Sequence, residues 1–506
     1  MIKSNGGIIG PDNVTTGGAF GTASGVFKLG EATDLINESK WPTAGPQGFQ
    51  VANSARFNSG SSDRLIRTQT AGNRRTFTIS WWMKRSGLTA GTQVIGSDPD
   101  GSAGNNFAIL DLKNTDALDF SGYESGHTFR LITNRLFRDV SAWMHIVFAV
   151  DTTQGTAANR MKIYVNGVQE TSFSTENYPS QNYETKFNEN SNVITVGGRS
   201  GSYFNGYMAE VCMIDGQALA PTSFGEFNSQ TGIWVPKSVT GLTFGTNGFY
   251  QNYSNSGALG EDFSGEDNDF TVNNLTSLDQ STDTCSTNFA TLNPLFPAGG
   301  TLTFSEGNTS ISAPNDGNWK TTLSTISSQN GKWYMEFKSG GNYVMAGVCD
   351  FNVTSRGIDG DNFATKTTIS AYGYGYYNGD GSVRYEGGTE ISNYGATYGD
   401  GDIIGIALDC DNDKLYFSKN GVFQNSGDPT SGSTGTGAVS LNSTAGRSWG
   451  FAFSIYQTNN RFANFGSPSF AISSGNADQN GFGNFEYAPP AGYLSLNTKN
   501  LAAVLG

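Results

Sequence analysis

Along most of this chain apolar residues recur at every second position in short runs, and Gly, Asn, Asp and Ser separate the runs. Ile404, Ile406 and Leu408 alternate with small or polar neighbours, and Leu415 and Phe417 resume the alternation after Asp411-Asn412-Asp413. A period of two is the repeat of one face of a strand. Asn420-Gly421 follows, a pair that tolerates positive φ at both central positions of a two-residue hairpin. The run 401–422 therefore predicts strand, turn, strand, turn.

The same grammar fills residues 47–220. Phe77, Ile79 and Trp81 share one face of a predicted strand, and 143–151 forms another. Lys162 to Gln169 reads as a hairpin on Asn166-Gly167, and Val193 to Gly198 leads into Phe204 to Val211. Short strands with turn residues between them indicate an antiparallel sandwich. Residues 283–490 repeat the pattern without repeating the sequence. The predicted fold class is all-β: two tandem antiparallel β-sandwiches behind an N-terminal arm. The arm, 1–46, is broken by Gly6-Gly7, Gly10-Pro11 and Gly17-Gly18, with one short helix expected from Glu31 to Lys40. Residues 221–282 read as an ordered connector, because Phe244, Phe249, Tyr250, Phe263 and Phe270 need cover, and 491–506 reads as a tail.

Both sandwiches resemble known families. Phe77 to Trp82, Trp143 to Asp151, Ile163 to Gly167 and Ile194 to Val211 follow, in order, the motifs of laminin-G-like, concanavalin-type jelly rolls. Val196-Gly197-Gly198 departs from the Ile-Gly usual there. Gly331 to Phe337, Val344 to Cys349, the 401–422 hairpin, Trp449 to Phe453 and Phe462 to Gly466 resemble the strands of SPRY domains. Tyr250 to Ser254 and Ser264 to Thr276 resemble segments of structural proteins from tailed phages of marine bacteria, as Gly25 to Leu29 and Trp41-Pro42 do less closely. These resemblances imply two concanavalin-like folds that bind rather than catalyse, in a virion protein such as a tail or head fibre.

Composition narrows the partners. The net charge of −14 opposes nucleic-acid phosphates and anionic lipid, and the basic residues form no cluster larger than an adjacent pair such as Arg74-Arg75. No nucleic-acid partner and no membrane insertion are expected, since no window holds 18 apolar residues. Cys212, Cys285, Cys349 and Cys410 form no C-x-x-C, and three of them lie in apolar strand patterns. Buried reduced thiols are expected, made in a reducing cytoplasm and without a signal peptide, with the virion as the final location.

Catalytic chemistry is sparse. The two histidines, His127 and His145, exclude a multi-histidine zinc site, and His145 reads as a strand residue of the sandwich. The E-x-D-x-x-E arrangement of jelly-roll glycosidases does not occur; Glu184 with Glu189, and Glu261 with Glu266, are spaced differently. No catalytic residue is assigned and no enzyme is expected, although a carbohydrate-active site dispersed over several strands would escape this pattern. Asp98, Asp100 and Asn105 supply hard oxygen ligands in one turn, and laminin-G-like domains often hold Ca²⁺ at a loop rim. A hydrophilic turn explains the same residues, and no other cofactor is expected.

The Tyr/Gly alternation from Tyr372 to Gly381 is the candidate binding segment: Tyr372, Tyr374, Tyr376, Tyr377, Asn378 and Asp380, extended by Tyr385. Rigid amphipathic rings on an adaptable backbone suit contact with sugar or protein. On that reading Tyr374 and Tyr376 are surface residues whose truncation spares the fold; a strand with its tyrosines packed on one face is the competing reading. The expected function is adhesion to a host-surface glycan or protein. The arm 1–46 would grip other virion proteins, and the protein would be a homo-oligomer, a trimer by analogy with fibres. A scaffold that binds only other virion proteins, or a cellular adhesin, fits the same composition.

Overall fold

The structure is a computed structural model. Its described residues are 48–505 without 101–104, 200, 230, 297–298, 352–361, 365–372, 386–388 and 443–446, together with 8–9 and 26–27. The helix expected from Glu31 to Lys40 lies outside them. The chain divides into two units: 1–50 with 221–240, and 51–220 with 241–506.

The smaller unit contains two antiparallel pairs, Ile8–Ile9 with Val26–Phe27 and Gly225–Phe227 with Trp234–Pro236. In the second pair the Phe227 and Trp234 rings meet edge to face at 4.9 Å. Gly225 lies against the Trp234 indole, where a Cβ would come within 2.6 Å of the ring.

The larger unit holds two sandwiches. In the first, one sheet runs Val168–Gln169, Met161–Val165, Met144–Asp151, Thr76–Arg85, Gly206–Asp215, Ser54–Phe57 and Gln280–Ser281, with Phe249–Gln251 paired to Gly206–Asp215. The facing sheet runs from Phe173–Asn177 to Thr271–Asn273 through the strands containing Phe129, Phe120, Leu110, Ile95, Ile194 and Leu65. Phe77, Ile79 and Trp81 point between the sheets with Ile146, Phe148 and Val150, all fully buried. Phe120 and Phe148 close the gap with ring centroids 3.6 Å apart. Asn166 (φ 47°) and Gly167 (φ 79°) make the hairpin their sequence specifies.

The expected connector is divided. Residues 221–240 belong to the smaller unit, while 241–282 give the first sandwich three strands. Phe249 and Phe270, in contact at 4.8 Å, join its core, with the Arg67 guanidinium 5.8 and 5.4 Å from their rings. Their apolar surface is covered by completing the sheets.

In the second sandwich one sheet runs Thr303–Ser305, Ser310–Ser312, Arg461–Asn464, Lys332–Lys338, Ile403–Asp409, Lys414–Lys419 and Val422–Phe423. Its partner runs Lys320–Leu323, Trp449–Ile455, Val344–Asp350, Gly373–Tyr377, Val383–Tyr385 and Thr389–Ile391. Ile404, Ile406, Leu408, Leu415 and Phe417 face the core as their alternation requires, and Asn420 (φ 48°) and Gly421 (φ 80°) form the second Asn-Gly turn. Phe337 stacks on Phe453 at 4.5 Å between the sheets. Residues 491–506 are more than a tail. Leu494–Ser495 pairs in parallel with Trp333 and Tyr334, and Asn497, just before the helix Thr498–Leu505, and Asn500, within it, are fully buried.

The two sandwiches meet at buried polar contacts. Lys84 pairs with Asp283 at 2.8 Å and also donates to Asn288 Oδ1 and the Phe289 carbonyl. Trp143 Nε1 donates to the second Asp283 oxygen. Arg56, fully buried, donates to the carbonyls of Leu278 and Pro468, and the Tyr207 hydroxyl donates to the Gly307 carbonyl. Because buried charges are tolerated only when paired and hydrogen-bonded, these residues fix the sandwiches to one another.

Candidate functional site

Four aromatic side chains converge at one end of the Tyr376 sheet in the second sandwich. Trp319 immediately precedes Lys320–Leu323, Tyr343 immediately precedes Val344–Asp350, Tyr456 immediately follows Trp449–Ile455, and Tyr377 ends Gly373–Tyr377. These strands are neighbours, with Lys320 and Val344 both opposite Ile455 and Met345 opposite Tyr377. The four rings are therefore held by ladder hydrogen bonds. Tyr456 lies 4.1 Å from Tyr343 and 5.0 Å, edge to face, from Trp319, which is 6.1 Å from Tyr377. Tyr343 is 38% exposed and the other three are half-buried, so the cluster is partly open to solvent.

Polar groups border the rings. The Arg384 guanidinium lies 4.4 Å from the Tyr377 ring centroid and donates to Asp380 Oδ2 at 2.6 Å. Burial acts against the ionised Asp380 carboxylate, but hydrogen bonds from Ser382 and Arg384 prevail and hold it below its usual range. Burial raises the Tyr377 phenol, opposed next by the Arg384 charge and helped less by the Asp380 charge; burial and the Tyr343 hydroxyl raise Tyr456. Both phenols stay neutral. Such rings stack on the C–H face of a pyranose while the carboxylate and guanidinium bind its hydroxyls.

Only part of the sequence-predicted segment reaches this site. Tyr377 and Asp380 are in it. Tyr374 and Tyr376 are 1% and 0% exposed and point into the core, which corrects their expected place on a surface loop. Gly373–Tyr377 is a strand, so successive side chains fall on opposite faces. Tyr374 stacks on Tyr385 at 5.3 Å, and its hydroxyl oxygen accepts the Asn442 N–H at 2.9 Å. Tyr376 packs on Phe417 at 5.4 Å. Asn378 is buried, accepting from Val344 N and donating to the Tyr398 carbonyl. Tyr372 lies outside the described residues. Trp319, Tyr343, Tyr456 and Arg384 were missed from sequence; the available signal is an aromatic residue just beyond an apolar strand end.

Asp98 is buried in Thr92–Asp98, faces Arg199 at 3.4 Å and accepts the Asp100 N–H. Asn105 is exposed. Among the described residues no group of three His, Cys, Asp or Glu is arranged for a metal ion, and a carboxylate turned to a guanidinium does not fit the oxygen-rich shell of Ca²⁺. His145 stacks on Trp82 at 4.7 Å with Nε2 2.8 Å from Ser80 Oγ, and burial lowers it to about 3, a neutral packed side chain. All four cysteines are unpaired.

Residues 58–222 match the Laminin_G_3 family model, described as the concanavalin A-like lectin/glucanases superfamily. The first sandwich is thus of the concanavalin-like class. No curated protein matches the chain. Among solved structures, the SPRY domain of human HERC1 is similar at 14% identity and a TM-score of 0.26, covering 34% of this chain and 96% of that one. The SAP-like pentraxin of Limulus polyphemus is similar at 13% identity and 0.26, covering 34% and 80%. Domain 4 of the Geobacillus stearothermophilus GH43 arabinanase, solved with arabinotriose, is similar at 21% identity and 0.24, covering 30% and 65%.

Proposed function

We propose that the chain is a non-catalytic adhesin that binds a surface glycan through the platform of Trp319, Tyr343, Tyr377 and Tyr456. The convergence of these four rings at the ends of four adjacent strands, with Asp380 and Arg384 at their border, carries the reading. The lectin/glucanase description of the first sandwich supports it. The resemblance of Tyr250–Ser254 and Ser264–Thr276 to tailed-phage structural proteins supports a virion fibre as the setting, with 1–46 attached to other virion proteins and a trimer as the assembly.

The test is binding of the whole protein to host cells and to a glycan array. Wild type binds saturably, and Tyr343→Ala with Tyr456→Ala removes binding while the melting temperature holds. Undiminished binding by the folded variant refutes the platform. A folded wild-type protein that binds no cell or glycan supports a scaffold role instead, and release of reducing sugar from a bound glycan supports an enzyme.

A further inference from the structure

A second cleft lies in the first sandwich, on the outer face of the sheet containing Trp81. Near Met83 that face is covered: Trp82 and His145 are stacked and buried there. At the other end, where Asp151 pairs with Thr76, it is open. Ala149, Lys162 and Tyr164 form the floor of a cleft of about 320 Å³, with Asn159, Gln154 and Asp151 on one side and Ala218 to Ala220 on the other. Met161, Ile163 and Val165 fill the core, so strand alternation turns Lys162 and Tyr164 outward.

Both walls are held in place. Thr78 Oγ1 donates to the Gln217 carbonyl at 2.7 Å and accepts the Leu219 N–H at 2.8 Å, fixing the 218–220 strap. Arg160 donates to the carbonyls of Gln154, Gly155 and Pro179 and fixes the opposite rim. A preformed site avoids the ordering cost of binding.

Two donors in this cleft are unspent, Lys162 Nζ and the Tyr164 hydroxyl. Among the described residues Lys162 makes no ion pair and the Tyr164 hydroxyl no hydrogen bond. Burial raises the Tyr164 phenol, which keeps its proton and remains a donor. Asp151 is the one carboxylate in the lining, and its oxygens are taken up by Thr153 and Gln154. A larger cleft nearby, about 580 Å³, differs in this respect. There Arg74 and Arg75 are paired with Glu184, Arg74 also with Glu189, and Asp215 accepts from Asn73, Asn188 and Asn247.

We propose that the smaller cleft is a saccharide subsite for a sugar unit carrying a carboxylate, such as a uronic acid. Lys162 Nζ and the Tyr164 hydroxyl bind the carboxylate, and the Asn159 amide binds a ring hydroxyl. This site shares no residue with the platform and stands or falls without it.

The experiment is a ligand-observed NMR titration of the whole protein with glucuronic acid, with glucose as the neutral control. Glucuronate binds saturably, and Lys162→Ala weakens it about tenfold, the size of one charge-assisted hydrogen bond. Lys162→Arg retains binding, Tyr164→Phe weakens it, and Tyr456→Ala leaves it unchanged. Circular dichroism melts establish that each variant is folded. Absence of saturable glucuronate binding, equal binding of glucose, or indifference to Lys162→Ala overturns the proposal. Loss of glucuronate binding in Tyr456→Ala would move the ligand to the platform and overturn it equally.

Discussion

Lys84 and Asp283 face one another at 2.8 Å, each side chain 1% exposed, one from the first sandwich and one from the segment entering the second. Removing one partner leaves a buried charge unmatched. Lys84→Met is therefore expected to destabilise the protein by about 3–5 kcal/mol. Lys84→Met with Asp283→Asn should recover part of that loss. Urea denaturation of the single and double variants measures both; equal losses would mean that the ion pair contributes nothing to holding the sandwiches together.

Tyr374 and Tyr343 should separate stability from binding. Tyr374→Ala removes a buried ring stacked on Tyr385 and edge-on to Trp449, and is expected to cost about 3–5 kcal/mol. Tyr376→Ala should behave alike, its ring fully buried against Phe417. Tyr343→Ala, at a side chain open to solvent, should change stability by about 0.5 kcal/mol or less. Thermal melts of the three variants check the order, and a Tyr374→Ala protein as stable as wild type would contradict the inward placement.

Glu210 makes stability depend on pH. It sits where the ladder of Gly206–Asp215 with Thr76–Arg85 shifts register, with φ at 50°. Burial raises it from 4.5 to about 7 against the opposing hydrogen bond from the Tyr250 hydroxyl at 2.5 Å. Between these values the folded protein keeps a proton that the unfolded chain has lost. Its contribution is therefore fully present below about 4.5 and is lost as pH rises through 7. Burial lifts Glu336 and Asp111 to about 7 as well, in the same direction. Urea midpoints should fall between pH 5 and pH 8, and fall less in Glu210→Gln. A wild-type midpoint that rises over this range would refute the assignment.

The thiols should be inert in the native protein. Burial raises Cys349 to about 12, and burial followed by nearby carboxylates raises Cys212, Cys285 and Cys410 as well. Thiolate is the reactive form, so a colorimetric thiol reagent should label little in buffer and all four cysteines in denaturant. Rapid native labelling would place at least one thiol at the surface.

The strands of both cores were legible because their side chains take sides unambiguously. Phe77, Ile79 and Trp81 can only face inward, and Asn166-Gly167 and Asn420-Gly421 can hardly form anything but tight hairpins. Tyrosine gives no such instruction. Its ring suits a core and its hydroxyl suits water, so the alternation of Tyr374, Tyr376 and Tyr377 identified a strand's faces without saying which was buried. Thr271–Asn273 and Gln280–Ser281 are too short to carry a period and exist because open sheet edges receive them. The platform was hidden for another reason: Trp319, Tyr343, Tyr377 and Tyr456 are brought together only by the order of strands in the sheet.

The late pairing of Phe249–Gln251, Thr271–Asn273 and Gln280–Ser281 with the first sandwich has a consequence for biosynthesis. Strands begun at Ser54 wait on the ribosome for partners more than two hundred codons downstream. The second sandwich repeats the delay, its central strand Lys332–Lys338 receiving Leu494–Ser495 from far downstream. Nascent chains stalled near residue 222, where the family match ends, would expose an unfinished sheet edge and the space left by Phe249 and Phe270. Such an intermediate keeps its sheets open until residues 249–281 have been made and have paired.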